Sequence, residues 1–174
     1  MNRTLTGYIP PVGFYYAVQI LGKNESPFPP SDAGFQEVSG ISVTMETEQI
    51  QEGGQNRFTH KVPGRTNYED LVLKRGLMVR SSALADWCTK IFKDNLTRRV
   101  EPKTIKVSLL DANTDSREPI MTWQFINAYP IKWDISPFDA RKSEIVIESI
   151  TFAYQYFEKI DEDAAKKYPV KETE

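Results

Sequence analysis

Cysteine and histidine are almost missing from this chain: Cys88 and His60 stand alone in 174 residues. One cysteine excludes an intrachain disulfide framework and suits assembly in a reducing cytoplasm. One histidine leaves a multi-imidazole metal site and a Ser/His/Asp relay poorly supplied. Long apolar runs are lacking too. No stretch approaches the length of a membrane helix, and MNRTLTGYIPPVG carries no signal-peptide h-region, so the expectation is a cytosolic chain without stable membrane association. Neither charge dominates: Lys and Arg number 22 against 24 Asp and Glu, a formal net charge of -2. A duplex-binding footprint is therefore not visible in bulk.

What the chain has is alternation. Ile41, Val43 and Met45 fall on one face of a strand, and Ser42, Thr44, Glu46 and Glu48 on the other, which predicts a core face and a wet face. Gly53 and Gly54 accept positive φ without penalty. The return run then puts Phe58, His60 and Val62 on one face and Arg57, Thr59 and Lys61 on the opposite one. The prediction is a long hairpin whose acidic outgoing arm faces a basic return arm.

Further strands are expected over Val12 to Leu21 and over Leu71 to Leu73, the latter closed by Lys74, Arg75 and Gly76. Thr104 to Leu110, Ile120 to Asn127 and Ile131 to Ile135 read the same way, the last two broken by Tyr129 and Pro130 because proline cannot donate to a ladder. Ser143 to Phe157 reads as one long strand with a bulge near Glu148 or Ser149 that switches its buried face. GKNESPFPPSDAG is a loop and DANTDSREP a turn. One helix stands out: Ser81 or Ser82 can cap it, and Leu84, Trp87, Cys88, Ile91 and Phe92 form a core-facing stripe. Trp123 and Trp133 join Trp87 as core candidates. The length suits a single domain spanning 1–174, with a core over about 10–157 and a charged tail over 158–174. Strands without βαβ alternation make an antiparallel sandwich or barrel.

Little of this points to chemistry. His60 reads as a strand residue in a polar contact, and Cys88 as a small buried hydrophobe. Gly53 and Gly54 before Arg57 are a hairpin tip, because a phosphate loop needs a helix to follow. Glu46, Glu48 and Glu52 could hold a hard cation, but their alternation makes them a solvated or interfacial face. No catalytic residue, cofactor or metal is expected.

An ordered set of segments carries a resemblance. PPVGFYYAVQI, FQEVSG, METE, EGGQNRF, HKVPGRTNYEDLVLKRG, LADWC, LLDAN, WQFINAYPIKW and SEIVIESITFAYQYF follow one another over most of the chain. In that order they resemble the tail tube proteins of contractile phages and of phage-like extracellular contractile injection systems. The resemblance implies a mainly β protomer, a β-barrel or sandwich with one flanking helix, that forms hexameric rings. Stacked rings would make the inner tube, a non-enzymatic conduit inside a contractile sheath. Implied partners are further copies of the chain, a sheath protein, baseplate or hub and tube-terminating proteins, and a protein or DNA cargo in the lumen; a second tube paralogue stays open. The implied location is the cytoplasm at assembly and then a phage virion or a released particle. The assembly residues would be Glu46, Glu48, Gln51, Glu52, Gly53, Gly54, Gln55, Asn56, Arg57, Phe58, Lys61 and Arg65. Their bland alternative is a solvated hairpin with pairs inside the chain. Two rival functions are a type VI secretion tube and carrier protein, and a small-ligand-binding β-barrel.

Overall fold

Nine strands and one helix form among the described residues of this computed structural model, which are 16–22, 27–28, 34–50, 58–78, 82–93, 100–110, 119–138, 141 and 144–160. They run β1 (Tyr16–Leu21), β2 (Glu37–Ser39), β3 (Val43–Ile50), β4 (His60–Tyr68), β5 (Leu71–Gly76), α1 (Ala83–Lys93), β6 (Lys103–Leu110), β7 (Pro119–Ile135), β8 (Ile147–Ala153) and β9 (Tyr156–Ile160). Every pairing is antiparallel. Seven strands share one sheet in the order β1-β6-β7-β8-β5-β2, with β9 also on β7, while β3 and β4 pair only with each other. The mainly β class with one helix is the one expected. Residues 12–15, Ser81, positions 111–118 of the expected turn and 161–174 of the expected tail lie outside the described residues, while Pro119 opens β7 and positions 158–160 of the expected tail belong to β9.

The core lies where the two halves of the sheet meet. Val18, Ile20, Ile105, Val107 and Phe125 come from β1, β6 and β7, and Leu71, Leu73, Ile150 and Phe152 from β5 and β8. Each such side chain contributes about 1.5–3 kcal/mol when fully buried. Helix α1 adds Leu84, Trp87 and Cys88. Ser82 caps it, its Oγ accepting the Ala85 N–H at 3.2 Å, while Asp86 in the first turn and Lys90 and Lys93 in the last suit the helix dipole. The expected stripe is narrower than its spacing suggests: Ile91 is half-buried and Phe92 exposed. Burial pushes the Cys88 thiol up to about 12, with Glu148 adding to the shift and Arg75 opposing it. Trp123 and Trp133 pack partly buried against the core.

Three strand boundaries differ from expectation. Tyr129 and Pro130 do not break β7, which runs for 17 residues. Its first part pairs with β6 on one edge and with β9 on the other, and from Tyr129 onward it pairs with β8. A register shift between Pro130 and Lys132 accommodates the proline as β7 passes from one half of the sheet to the other. The expected strand 143–157 is instead β8 and β9, separated at Tyr154 and Gln155, where the Gln155 N–H donates to the Ile126 carbonyl at 2.9 Å. The third difference is that Lys74, Arg75 and Gly76 belong inside β5 rather than closing it.

No bulge occurs at Glu148; the β5–β8 register is regular there. Glu148 itself occupies the buried parity, directly opposite Arg75, and the two are 2% and 1% exposed. Such burial is costly unless the charges are paired and hydrogen-bonded. Arg75 Nε donates to Glu148 Oε2 at 2.6 Å, and Trp133 Nε1 donates to Glu148 Oε1 at 2.7 Å. Arg75 Nη2 also donates to Ser82 Oγ at 3.1 Å. One buried network thus joins β5, β7, β8 and the helix cap.

Candidate assembly surface

The β3–β4 arm projects two strands that the rest of the protomer does not cover. Every residue of both strands is exposed. This corrects the expected core face: Val43 is 49% and Met45 58% exposed, and only Ile41, at the root, packs against the core. The alternation is real, but no second layer lies over it. Phe58 and Val62 are exposed as well, with the Phe58 ring 5.0 Å from that of His60 and edge-on to it.

Pairing also revises the charge pattern. Val43, Thr44 and Met45 oppose Tyr68, Asn67 and Thr66 in regular register, which then shifts between Met45 and Thr47. Beyond the shift Glu48 lies opposite Val62, and Gln49 opposite Lys61. Directly opposed residues share a face, so Glu48 and Lys61 look to opposite sides. Among the described residues no ion pair joins the two strands; Glu46 Oε1 instead accepts from Asn67 Nδ2 at 2.7 Å. Among the described residues, Glu46 and Glu48 are therefore not neutralised by Lys61 or Arg65. Of the expected assembly residues, Glu46, Glu48, Phe58, Lys61 and Arg65 are all exposed on the arm. Gln51, Glu52, Gly53, Gly54, Gln55, Asn56 and Arg57 lie outside the described residues.

A second bare region escaped the sequence reading. The last part of β7 is paired with β8 on one edge and, among the described residues, with no strand on the other. Along and beyond it Ile131, Ile135 and Phe138 are 43%, 47% and 76% exposed, and Ile145 is 73% exposed beside the start of β8. An open edge next to apolar side chains is a ready template for another chain. The isoleucines at 131, 135 and 145, with Phe138 among them, were the available signal.

An apolar cleft of about 280 Å³ opens between β1, β2, β6 and β7, lined by Tyr16, Val38, Ile41, Val107, Leu109 and Trp123, with Gln36 and Glu37 at its side. The Tyr16 hydroxyl donates to the Phe35 carbonyl at 2.9 Å. Burial, and then the Glu37 carboxylate, raises the Tyr16 pKa. The cleft is smaller than ligand pockets of about 300–1,000 Å³ and offers few convergent polar groups.

Comparison with known proteins bears on these surfaces. The family described as T4-like virus tail tube protein gp19 matches residues 12–158. A chain in the sixfold-symmetrised cryo-EM structure of the anti-feeding prophage baseplate is 28% identical, with 88% of this chain and 97% of that one covered and a TM-score of 0.78. A chain in the extended sheath–tube complex of PVC, an extracellular contractile injection system, is 25% identical, with 87% and 92% covered and a TM-score of 0.70. A type six secretion system protein is 13% identical, with 83% and 82% covered and a TM-score of 0.50, a likeness of fold alone. No curated protein sequence matches the chain.

Proposed function

The chain belongs to the T4-like virus tail tube protein family and is a structural tube subunit of a phage tail or contractile injection system; on that premise we propose that six copies close into a ring and that the rings stack into a hollow conduit within a contractile sheath. One domain, residues 1–174, does this work. No reaction is catalysed.

The arm is the observation that carries the proposal. Neither of its strands buries a residue, and it leaves Val43, Met45, Ile50, Phe58 and Val62 without cover. A two-stranded ribbon is marginal by itself, and such apolar exposure marks contact surfaces. Reaching into a neighbouring ring supplies the missing cover. Glu46 and Glu48 on one strand and Lys61 and Arg65 on the other then meet charges of another copy, together with the tip residues Gln51 to Arg57, and complementary charge fixes register more than affinity. Because such a head-to-tail contact does not close on itself, rings add end to end. The open edge of β7 serves the contact within a ring.

The remaining partners are a sheath protein, a baseplate or hub and tube-terminating proteins. Protein or DNA cargo passes through the lumen, and a net charge of -2 suits a channel that does not grip a polyanion. Assembly takes place in the cytoplasm. A type VI secretion carrier shares the fold alone, and the family match favours the tube reading over a ligand-binding barrel.

Negative-stain electron microscopy with light scattering tests the proposal. The full chain should give sixfold rings or stacked tubes, and a chain lacking 51–56 should give folded protomers without stacks. Normal tubes from the truncated chain would remove the arm from the stacking contact.

A further inference from the structure

The arm leaves the barrel through a narrow root. Gly40 holds a φ of 85°, and a Cβ there would lie 1.9 Å from the Asp70 carbonyl oxygen, so the two strands of chain cross where only glycine fits. Past the crossing, the Ser42 N–H donates to the Gly40 carbonyl at 2.9 Å and the Glu69 N–H to the Ser42 carbonyl at 3.3 Å. Neither β3 nor β4 pairs with the larger sheet. Both bonds lie within the root itself, among Gly40, Ser42 and Glu69, and neither reaches the larger sheet.

Tyr68, the last residue of β4, reaches further. Its ring centre lies 6.0 Å from that of Tyr154 and 5.5 Å from that of Phe157, edge-on to both. Behind them the fully buried Phe125 meets Tyr154 at 4.9 Å and Phe157 at 5.5 Å. Tyr68 thereby belongs at once to the exposed ribbon and to a ring cluster continuous with the core. We infer that Tyr68 is the positioning residue of the arm: seated against Tyr154 and Phe157, it sets the angle at which the arm leaves the barrel and is offered to the next copy. The inference rests on the arm being the stacking element.

The seat is opposed by a polar cost. The Tyr154 hydroxyl is buried and has no hydrogen-bond partner among the described residues. Burial, followed by the neighbouring Asp70, Tyr68 and Glu69, pushes its pKa up to about 12. A buried unpaired hydroxyl costs stability, and on this proposal release of the arm relieves that cost. Ring packing holds the arm in and the unpaired hydroxyl works against it, which narrows the gap between seated and released positions.

Amide hydrogen exchange on the full chain tests the seat directly. In Tyr68→Ala the amides of β3 and β4 should exchange about tenfold faster while those of β5 and β8 keep their rates. Tyr68→Phe should match the parent, and Tyr154→Phe should slow exchange in the arm. Unchanged exchange in the arm of Tyr68→Ala overturns the inference, and so does equal acceleration in β5 and β8, which would make Tyr68 an ordinary core residue. Tube yield provides the second readout: Tyr68→Ala should lose tubes and Tyr68→Phe keep them. The chain lacking 51–56 separates the two ideas. If it also makes normal tubes, the stacking role of the arm falls; if it fails while Tyr68→Ala makes normal tubes, only the positioning role falls.

Discussion

Strands β3 and β6 are both eight residues long and both alternate, yet they end in opposite circumstances. β6 lies between β1 and β7 and hides Ile105 and Val107 almost completely. β3 has β4 as its single neighbour and hides nothing. The difference is in the company each strand keeps. In the barrel, alternation is answered by a second layer from the same chain. In the arm no described segment of the same chain answers it, so the same pattern that stabilises one region leaves the other uncovered.

Four variants would sharpen or break this contrast. Glu148→Ala should act most strongly, because it strips the carboxylate from a buried Arg75 and from Trp133 Nε1; a loss of about 3–5 kcal/mol is expected in chemical denaturation. Replacing the pair together, Arg75→Met with Glu148→Leu, should restore most of that stability, and failure to do so would show that the network is needed for more than mutual neutralisation. Ser82→Ala comes next, at about 1 kcal/mol in the same measurement, since both the Ala85 N–H and Arg75 Nη2 lose their acceptor. Met45→Ser should be smallest for the protomer, within about 0.5 kcal/mol, because that side chain lies in solvent. Its tube yield should nonetheless drop. A Met45→Ser protomer as damaged as the Ser82 variant would mean that the arm is part of the folding unit.

Much of the local structure was legible beforehand. The helix stripe held at Leu84, Trp87 and Cys88, and the cap at Ser82 has the acceptor geometry that serine offers. Strands β1, β5, β6, β8 and β9 follow alternating runs. What misled was punctuation. Pro130 looked like a break because its missing N–H was judged without a partner strand in view, and the partner changes at that point. Glu148 looked like a disturbance in an apolar run because its counter-ion stands 73 residues earlier in sequence. On the arm, the sequence placed the exposed charges of Glu46, Glu48, Lys61 and Arg65 correctly but could not see the shift between Met45 and Thr47 that turns Glu48 and Lys61 to opposite faces. The bare edge of β7 was missed because exposure of Ile131 and Ile135 depends on which strand is not beside them.

By itself, then, the sequence determined what near neighbours decide: which stretches are extended, which is helical, and that a serine caps the helix. The tertiary structure alone decided which apolar faces are covered, that Arg75 and Glu148 meet in the core, and that Tyr68 ties the arm to the rings behind it. Secondary structure answers to backbone geometry over a few residues, whereas burial and buried charge answer to pairings between distant segments, whose register a linear pattern leaves free.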